Sequence, residues 1–266
     1  MTGDNMITLF EHPLSPYAQK VKLALLEKGV DFSLQGPSFN EGAERDAFLK
    51  LSPRGEVPML VVGDETIFDS SIILEYIEDR WPTPPLLPAS PGERARVRML
   101  EDVMDTHFEA NTWGLSEVKH FGRAEGELAD RLNSYAGHEI RGWFTWLDAQ
   151  LGERPWFNGA NFGWGDLCVA PFVNGATRFD LYPDPASRLA AWLQRVNARP
   201  TVAQCKEAAD AAELDAQIMQ AAIAAGFKRE YRDHRLEWMV KAGGMAVVTA
   251  GLAADNVRFT TVFGAD

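Results

Sequence analysis

The chain has 266 residues, 46% of them apolar, and a formal net charge of -12, so it can bury one large core or two moderate ones. The acidic balance and the absence of a long basic stripe argue against a nucleic-acid partner, because phosphate binding depends on clusters of Lys and Arg. Residues 1–6 do not resemble a signal peptide, and no apolar run approaches the roughly 20 residues of a membrane span. With only Cys168 and Cys205 and no CxxC, we expect a soluble, cytoplasmic protein with two buried thiols and no disulfide.

A buried strand followed by a capped helix is predicted at the start of the chain. The strand is Ile7 to Phe10, and Ser15-Pro16 places Ser at the helix N-cap and Pro at the first helical position. The helix should run for about four turns to Gly29. The Ser15 hydroxyl then lies at a positive helix end, either as a simple cap or as a donor that lowers the pKa of a bound thiol from roughly 8.5 toward neutrality. The charged residues of this helix that we expect to face outward are Lys20, Lys22, Glu27 and Lys28.

A turn and a further strand follow at residues 51–62. Leu51-Ser52-Pro53-Arg54-Gly55 has the composition of a turn, and Val57-Pro58-Met59-Leu60-Val61-Val62 that of a strand opening with Pro. The Val57–Pro58 bond can be cis, which would leave the backbone N–H and C=O of Val57 available to an extended peptide ligand. An ordinary proline at the head of an edge strand fits the dipeptide equally well.

A hairpin and a second capped helix complete this part of the chain. Gly63-Asp64-Glu65-Thr66 is a turn signal between two short apolar runs. Asp69-Ser70 then opens a helix that should end at Trp81-Pro82. A carboxylate and a hydroxyl at this terminus can bind an ammonium and a carboxylate group together, because the helix N–H groups add to the anion site. Plain helix capping is the alternative role for both residues.

In this order and spacing, the three segments resemble the glutathione-binding half of the cytosolic glutathione transferases. The resemblance implies an α/β N-terminal thioredoxin-like domain followed by an all-α C-terminal domain, with glutathione as co-substrate. It implies Ser15 as the catalytic residue that stabilises the glutathione thiolate. Val57 and Pro58 would hold the cysteinyl backbone. Asp69 and Ser70 would bind the γ-glutamyl end. Ser rather than Cys at position 15 is nearest to serine-type classes such as tau and zeta and argues against a mixed-disulfide oxidoreductase.

Two further residues belong to the implied glutathione site. Tyr17 can donate to the sulfur, or it can line the second-substrate pocket or the core. Glu56 stands just before Val57, where many family members carry Gln or Lys near the glycyl carboxylate. A solvated carboxylate there should repel that group by up to about 1 kcal/mol unless Arg54 or Lys20 compensates.

Beyond a Pro-rich segment at 82–88, the pattern is helical almost throughout. We predict a long helix from Ser90-Pro91, another over 126–151, and a last helix from about Val202 after the turn at Arg199-Pro200. The segment before Asp166 resembles the buried helix start of the transferase C-terminal domain, where this Asp caps its own helix and serves folding rather than catalysis. Gly163 departs from the family by replacing the usual Ser or Thr at the cap.

A second-substrate pocket is implied between the two domains. It would present an aromatic surface suited to a flat hydrophobic electrophile, although the same residues fit a helix face packed in the core. The candidates are His107, Phe108, Asn111, Thr112 and Trp113. Neither His107 nor His120 has a ligand spacing with Cys or carboxylates, so no metal site is predicted.

The predicted division is a glutathione-binding domain at 1–82, a linker at 83–91, a helical domain at 92–225 and a C-terminal extension at 226–266. In the extension, 227–239 carries aromatic residues at helical spacing, 245–252 is predicted as a short helix, and 257–263 alternates like a strand. Such an apolar tail could cover the site, cross to a second subunit, dock another protein or pack on the helical domain.

The resemblance therefore predicts a homodimeric glutathione transferase-like detoxification enzyme. It would activate the glutathione thiol for attack on a hydrophobic electrophile by conjugation, ether cleavage or dehalogenation. The alternative is a non-catalytic protein of the same fold that binds a protein partner through its tail. Neither requires a metal, a nucleic acid or a membrane.

Overall fold

A computed structural model describes residues 6–37, 43–52, 54–212 and 242–254, with isolated positions at 221, 223, 224, 236 and 240. The N-terminal elements are β1 (Ile7–Phe10), α1 (Pro16–Glu27), β2 (Ser33–Gln35), α2 (Ala43–Leu51), β3 (Met59–Val62), β4 (Glu65–Phe68) and α3 (Ser70–Arg80). The helices that follow are α4 (Pro91–Val103), a π-helical turn (Met104–Phe108), α5 (Glu109–Lys119), α6 (Gly126–Leu151), α7 (Trp164–Thr177), α8 (Arg188–Asn197), α9 (Pro200–Ala211) and α10 (Met245–Ala253).

The N-terminal domain contains a mixed four-stranded sheet in the order β2-β1-β3-β4. β1 runs parallel to β2 and antiparallel to β3, and β3 and β4 form the predicted antiparallel hairpin around Gly63-Asp64. Gly63 takes a positive φ of 57°, a conformation that glycine adopts without steric cost. The N-terminal sheet domain followed by a helical domain is the fold class that the sequence predicted.

Local sequence signals place the helix starts in both domains. Ser15 and Ser90 each accept a backbone N–H at the N-cap of α1 and α4, with Pro at the first position of both helices. α6 spans the predicted 126–151. The last predicted helix begins at Pro200, two residues before the expected start at Val202, because Pro is well suited to a first helical position.

The prediction that the charged residues of α1 face outward was wrong. Lys20, Lys22 and Lys28 are buried, with exposed fractions of 0%, 5% and 8%. The reason is that α1 packs against α3 on one side and against α7 and α9 of the helical domain on the other, so little of its surface meets water. Each ammonium has a carboxylate partner; Lys22, for example, lies 3.0 Å from Glu11. α1 is also shorter than predicted, with 12 residues.

The C-terminal extension is described only at 242–254 beyond the isolated positions. There the predicted short helix is confirmed as α10. The aromatic residues at 227–239 and the alternating run at 257–263 lie outside the described residues. None of the α10 side chains is buried, and Met245, Val247 and Leu252 are 42%, 62% and 52% exposed.

Candidate glutathione site

The register of the sheet brings the three sequence segments to one edge. Phe10 at the end of β1 pairs with Met59 at the start of β3, and Met59 pairs with Phe68 at the end of β4. The loop that carries Ser15, the Val57–Pro58 dipeptide and the Asp69 turn therefore leave the sheet side by side. Two helix N-termini, those of α1 and α3, open at this edge, and each contributes a positive dipole end.

Ser15 caps α1 through its side chain. Its Oγ accepts the backbone N–H of Ala18 at 3.3 Å. That bond uses a lone pair of the oxygen, so the hydroxyl proton stays available for donation to another acceptor. The capping role and the proposed thiolate role are thus compatible. In the preceding loop, His12 Nδ1 accepts the N–H of Leu14, and burial lowers the pKa of His12 while the nearby Glu11 opposes this effect.

Arg54 forms ion pairs with two acidic residues at this edge. The Val57–Pro58 peptide bond is cis, as the sequence allowed. Arg54 lies 2.6 Å from the Glu56 carboxylate and 2.8 Å from that of Asp69, and so bridges the loop before β3 to the start of α3. The guanidinium therefore compensates Glu56, as the sequence analysis required for glycyl carboxylate binding.

Asp69 and Ser70 form the start of α3. Asp69 is its N-cap, and its Oδ1 accepts the N–H groups of Ser71 and Ile72. It holds a φ of 75°, which non-glycine residues rarely adopt and which is concentrated at ligand-binding sites. The Ser70 side chain is buried beside it. Because Arg54 occupies Oδ2 of Asp69, a ligand ammonium would share this carboxylate with the guanidinium.

Comparison with known proteins places this geometry in a family. The family described as "Glutathione S-transferase, N-terminal domain" matches residues 9–85, and "Glutathione S-transferase, C-terminal domain" matches residues 139–195. Glutathione S-transferase 1 of Dianthus caryophyllus is 32% identical over 169 residues, which are 62% of this chain and 75% of the relative. The chain belongs to the glutathione S-transferase superfamily. A stringent starvation protein A homolog of Coxiella burnetii is 29% identical over 65% of this chain and 77% of its own.

Solved structures show the same fold for this glutathione S-transferase superfamily member. A glutathione S-transferase from Rhodospirillum rubrum F11 superposes with a TM-score of 0.67 at 28% identity, over 75% of this chain and 91% of that one. FzlA from C. crescentus superposes with a TM-score of 0.66 at 26% identity, over the same shares.

The Tyr17 side chain is directed toward the domain interface. Its hydroxyl donates to the backbone carbonyl of Asp105 at 2.6 Å, and its ring meets Phe172 of α7 edge-on at 5.7 Å between centroids. These contacts support the core role that the sequence analysis left open. The role of Tyr17 at the sulfur stays a prediction.

The five candidates for the second-substrate pocket do not share one environment. Phe108 is fully buried against Phe144, whereas His107 is exposed and lies against Trp143 of α6. Asn111 donates to the backbone carbonyl of His107 in the π-helical turn, Thr112 donates to that of Glu109 in α5, and Trp113 is half-buried. Cavities of about 340 Å³ beside α2 and about 300 Å³ beside Trp81 are lined by other residues.

A buried polar cluster joins the site to the helical domain, and the sequence analysis missed it. Lys20 Nζ lies 2.7 Å from Glu101 Oε1 and 2.5 Å from Asp105 Oδ2. Ser71 Oγ donates to Glu101 Oε1 at 2.6 Å, and Trp164 Nε1 donates to Glu101 Oε2 at 2.7 Å. The partners stand up to 85 residues apart in the chain, so no local pattern could have found them.

The charge balance of this cluster shifts the acidity of its members. Burial raises the pKa of Asp105 to about 6; the Lys20 ammonium opposes the shift and Glu101 adds to it. Burial disfavours the Lys20 charge, but Asp105 and Glu101 outweigh it and raise the Lys20 pKa. Asp105 Oδ1 is buried without a hydrogen-bond partner. The cluster therefore holds one cation against two carboxylates, one of which has an unpaired oxygen.

The start of α7 confirms the expected folding role of Asp166. Its carboxylate accepts the N–H of Gly163 at 3.1 Å, that of Phe157 at 2.8 Å and the Trp192 indole N–H at 2.8 Å. Burial raises the pKa of Asp166 to about 6, although these hydrogen bonds act to lower it. A Cβ at Gly163 would overlap the Asn158 side chain. The Asn158 amide accepts the N–H of Gly165 at 3.1 Å and thereby does the work of the missing cap hydroxyl.

Both cysteines lie in the interior of the protein. Cys168 and Cys205 are buried free thiols, as predicted. Within the described ranges, no set of three or more His, Cys, Asp or Glu side chains is arranged to hold a metal ion. The described helices likewise include none with the length and apolarity to cross a bilayer.

Proposed function

We propose that this chain binds glutathione at the sheet edge and activates its thiol for attack on a small hydrophobic electrophile. The observation that supports the proposal most strongly is the convergence of Ser15, Val57 and the Asp69-Ser70 turn at one edge, between two helix N-termini. A structural neighbour at 27% identity and a TM-score of 0.61, a glutathione S-transferase from Methylobacterium radiotolerans, was solved in complex with glutathione sulfonate.

The residues present fit an anionic tripeptide. The positive N-terminal end of α3 and the Ser70 hydroxyl suit the γ-glutamyl carboxylate, and Asp69 suits its ammonium. Val57 precedes the paired part of β3 and offers backbone groups to the cysteinyl unit. Arg54, between Glu56 and Asp69, offsets the local negative charge at the glycyl end.

The proposed chemistry starts from the glutathione thiol bound beside Ser15. Glutathione supplies the nucleophile: a C–S bond forms at the electrophile, and the displaced group or an acceptor atom takes the electron pair. The thiol proton passes to solvent water, the Ser15 O–H donates a hydrogen bond to the thiolate sulfur and keeps its proton, and the N-terminus of α1 stabilises the negative charge. Conjugation, ether cleavage and dehalogenation all share this step.

Replacing Ser15 tests the proposal. Ser15→Ala should reduce kcat far more than it weakens glutathione binding, because the hydroxyl matters to the thiolate more than to the bound thiol. Ser15→Thr, which keeps a hydroxyl and a capping oxygen, is the matched control. Calorimetric titration gives the affinity, and ultraviolet thiolate absorbance across pH gives the pKa of the bound thiol. Equal kinetics and equal thiol pKa values in wild type and Ser15→Ala would refute the role of Ser15.

A second candidate function is partner binding without catalysis, and α10 favours it. This helix carries no charged residue, yet none of its side chains is buried, and an apolar helix ordinarily finds a partner. Two of the similar proteins are named FzlA and stringent starvation protein A homolog rather than transferase. Comparing the full chain with one that ends at residue 225 separates the two functions. Retained turnover with loss of an interaction would assign docking to the tail, and lost turnover would assign the tail to the catalytic site.

We further propose a cytoplasmic homodimer that acts in detoxification. Ile72 on α3 and Met99 on α4 are 57% and 64% exposed, and the Glu75–Arg98 ion pair joins the same two helices. Light scattering on the wild type and Met99→Glu tests the dimer. The domain limits at 1–82, 83–91, 92–225 and 226–266 stay predictions that limited proteolysis can check.

A further inference from the structure

Glu101 is a single side chain that contacts three helices at once. Its carboxylate accepts hydrogen bonds from the Lys20 ammonium of α1, the Ser71 hydroxyl of α3 and the Trp164 indole N–H of α7. Its exposed fraction is 4%, so water does not replace these donors. A buried carboxylate with three donors holds their relative positions tightly, because losing any one leaves charge or a polar atom unpaired in a low dielectric.

Two of these three helices carry the two halves of the proposed glutathione site. Ser15 caps α1 five residues before Lys20, and Asp69 and Ser70 lie directly before Ser71 at the start of α3. Glu101 itself belongs to α4 of the helical domain. Glu101 thus links the two halves of the site from outside the sheet domain, in addition to the direct packing of α1 against α3.

We propose that Glu101 is a positioning residue that holds the N-termini of α1 and α3 in the alignment that glutathione activation requires. The inference rests on the proposed function for its catalytic consequence. Misalignment of a reacting group by about 1 Å costs on the order of a hundredfold in rate. Glu101 therefore acts through Lys20 and Ser71, without touching the ligand.

Glu101→Gln is the informative substitution because it keeps the shape of the side chain and removes one acceptor oxygen. An amide accepts through one oxygen only, so its NH₂ group must face either the Trp164 indole N–H or the Lys20–Ser71 pair of donors. The matched control is Glu78→Gln. Glu78 is also buried and also pairs with a lysine of α1, Lys28, at 2.5 Å, but at the opposite end of that helix.

Two measurements on the full chain test the proposal. Hydrogen exchange in the free protein should rise in the first turns of both α1 and α3 in Glu101→Gln and stay at the wild-type level there in Glu78→Gln. With glutathione, Glu101→Gln should lower kcat roughly tenfold to a hundredfold and raise the pKa of the bound thiol, with a smaller change in KM. Ser71→Ala removes only the hydrogen bond from α3 to Glu101, so it should change exchange, kcat and the bound-thiol pKa in the same direction but less. It keeps the proposal testable if Glu101→Gln fails to fold.

The outcomes separate this inference from the proposed function. If Glu101→Gln and Glu78→Gln give the same exchange pattern, Glu101 is merely structural and the inference is overturned. If exchange rises at both helix starts but the bound-thiol pKa and kcat stay unchanged, the catalytic part of the inference is overturned. Failure of the wild type to bind glutathione at millimolar concentration would refute the proposed function, while the exchange data would still decide the alignment.

Discussion

Two buried lysines, Lys20 in the first half of α1 and Lys28 at its C-cap, have different surroundings. Lys28 meets Glu78, whose two oxygens also accept the linker amides of Leu86 and Leu87. Lys20 meets two carboxylates of the helical domain, and one oxygen of Asp105 remains unpaired. The Lys28–Glu78 pair connects the end of α1 to α3 and to the segment after α3. The cluster of Lys20, Glu101 and Asp105 adjoins the candidate site, because Ser71 bonds to Glu101 directly after Asp69 and Ser70. The carboxylate that anchors the C-terminal end of α1 thus has a partner for each oxygen. Nearer Ser15, one cation holds two carboxylates, and one of their oxygens has no partner.

The largest expected effect comes from removing the cations. Lys20→Met should lower the free energy of unfolding by about 3–5 kcal/mol, because it leaves Glu101 and Asp105 buried without a cation. Lys28→Met should cost less, since the linker amides still satisfy Glu78. Urea unfolding of both variants measures the two losses. A Lys28→Met variant that is less stable than Lys20→Met would reverse the comparison.

A smaller effect concerns pH. The pKa of Asp105 is about 6 in the folded protein, against 3.8 for an ordinary solvated Asp, so the folded state binds this proton more tightly than the unfolded state does. The contribution to stability is present at low pH and is lost as pH rises through about 4 to 6. Relative to Asp105→Asn, the wild type should gain about 1 kcal/mol of unfolding free energy between pH 7 and pH 5.

Thermal and urea unfolding at both pH values check this sign. A difference between wild type and Asp105→Asn that is constant from pH 5 to 7 would show that Asp105 titrates normally.

The smallest effect on stability is expected at the exposed pair beside the site. Arg54 is 37% exposed, so Arg54→Ala should change the free energy of unfolding by less than about 1 kcal/mol. Its effect on glutathione affinity should be larger, because Glu56 and Asp69 then face the ligand without compensation. Calorimetric titration beside urea unfolding separates the two quantities. Unchanged affinity in Arg54→Ala would show that Glu56 does not meet the ligand.

Much of the fold could be predicted because its signals are local. Ser-Pro pairs fixed the starts of α1 and α4, and the Gly63-Asp64 turn fixed the hairpin. β2 and α2 were not predicted. β2 has three exposed residues, and α2 buries only Phe48, so neither shows a strong periodic pattern.

The candidate site divides in the same way. Ser15, Val57 and Asp69 stand in short segments whose chemistry is readable in sequence. The compensation of Glu56 by Arg54 was one of two stated options and needed coordinates to decide. The contacts of Lys20 depend on packing between the two domains. A prediction from the charge pattern of a helix assumes that its charged face meets solvent, and in α1 the helical domain covers that face.

The junction of Gly163 and Asn158 constrains how this protein can change. The amide of Asn158 occupies the volume that a side chain at position 163 would need, and it supplies the cap that such a side chain would bring. Serine at 163 alone would clash, and loss of Asn158 alone would leave the Gly165 N–H uncapped. A Cβ at position 163 would also overlap the backbone carbonyl oxygen of Leu86, so removing Asn158 does not by itself make room for a side chain. The cap of α7 can therefore change only together with the path of the segment that carries Leu86.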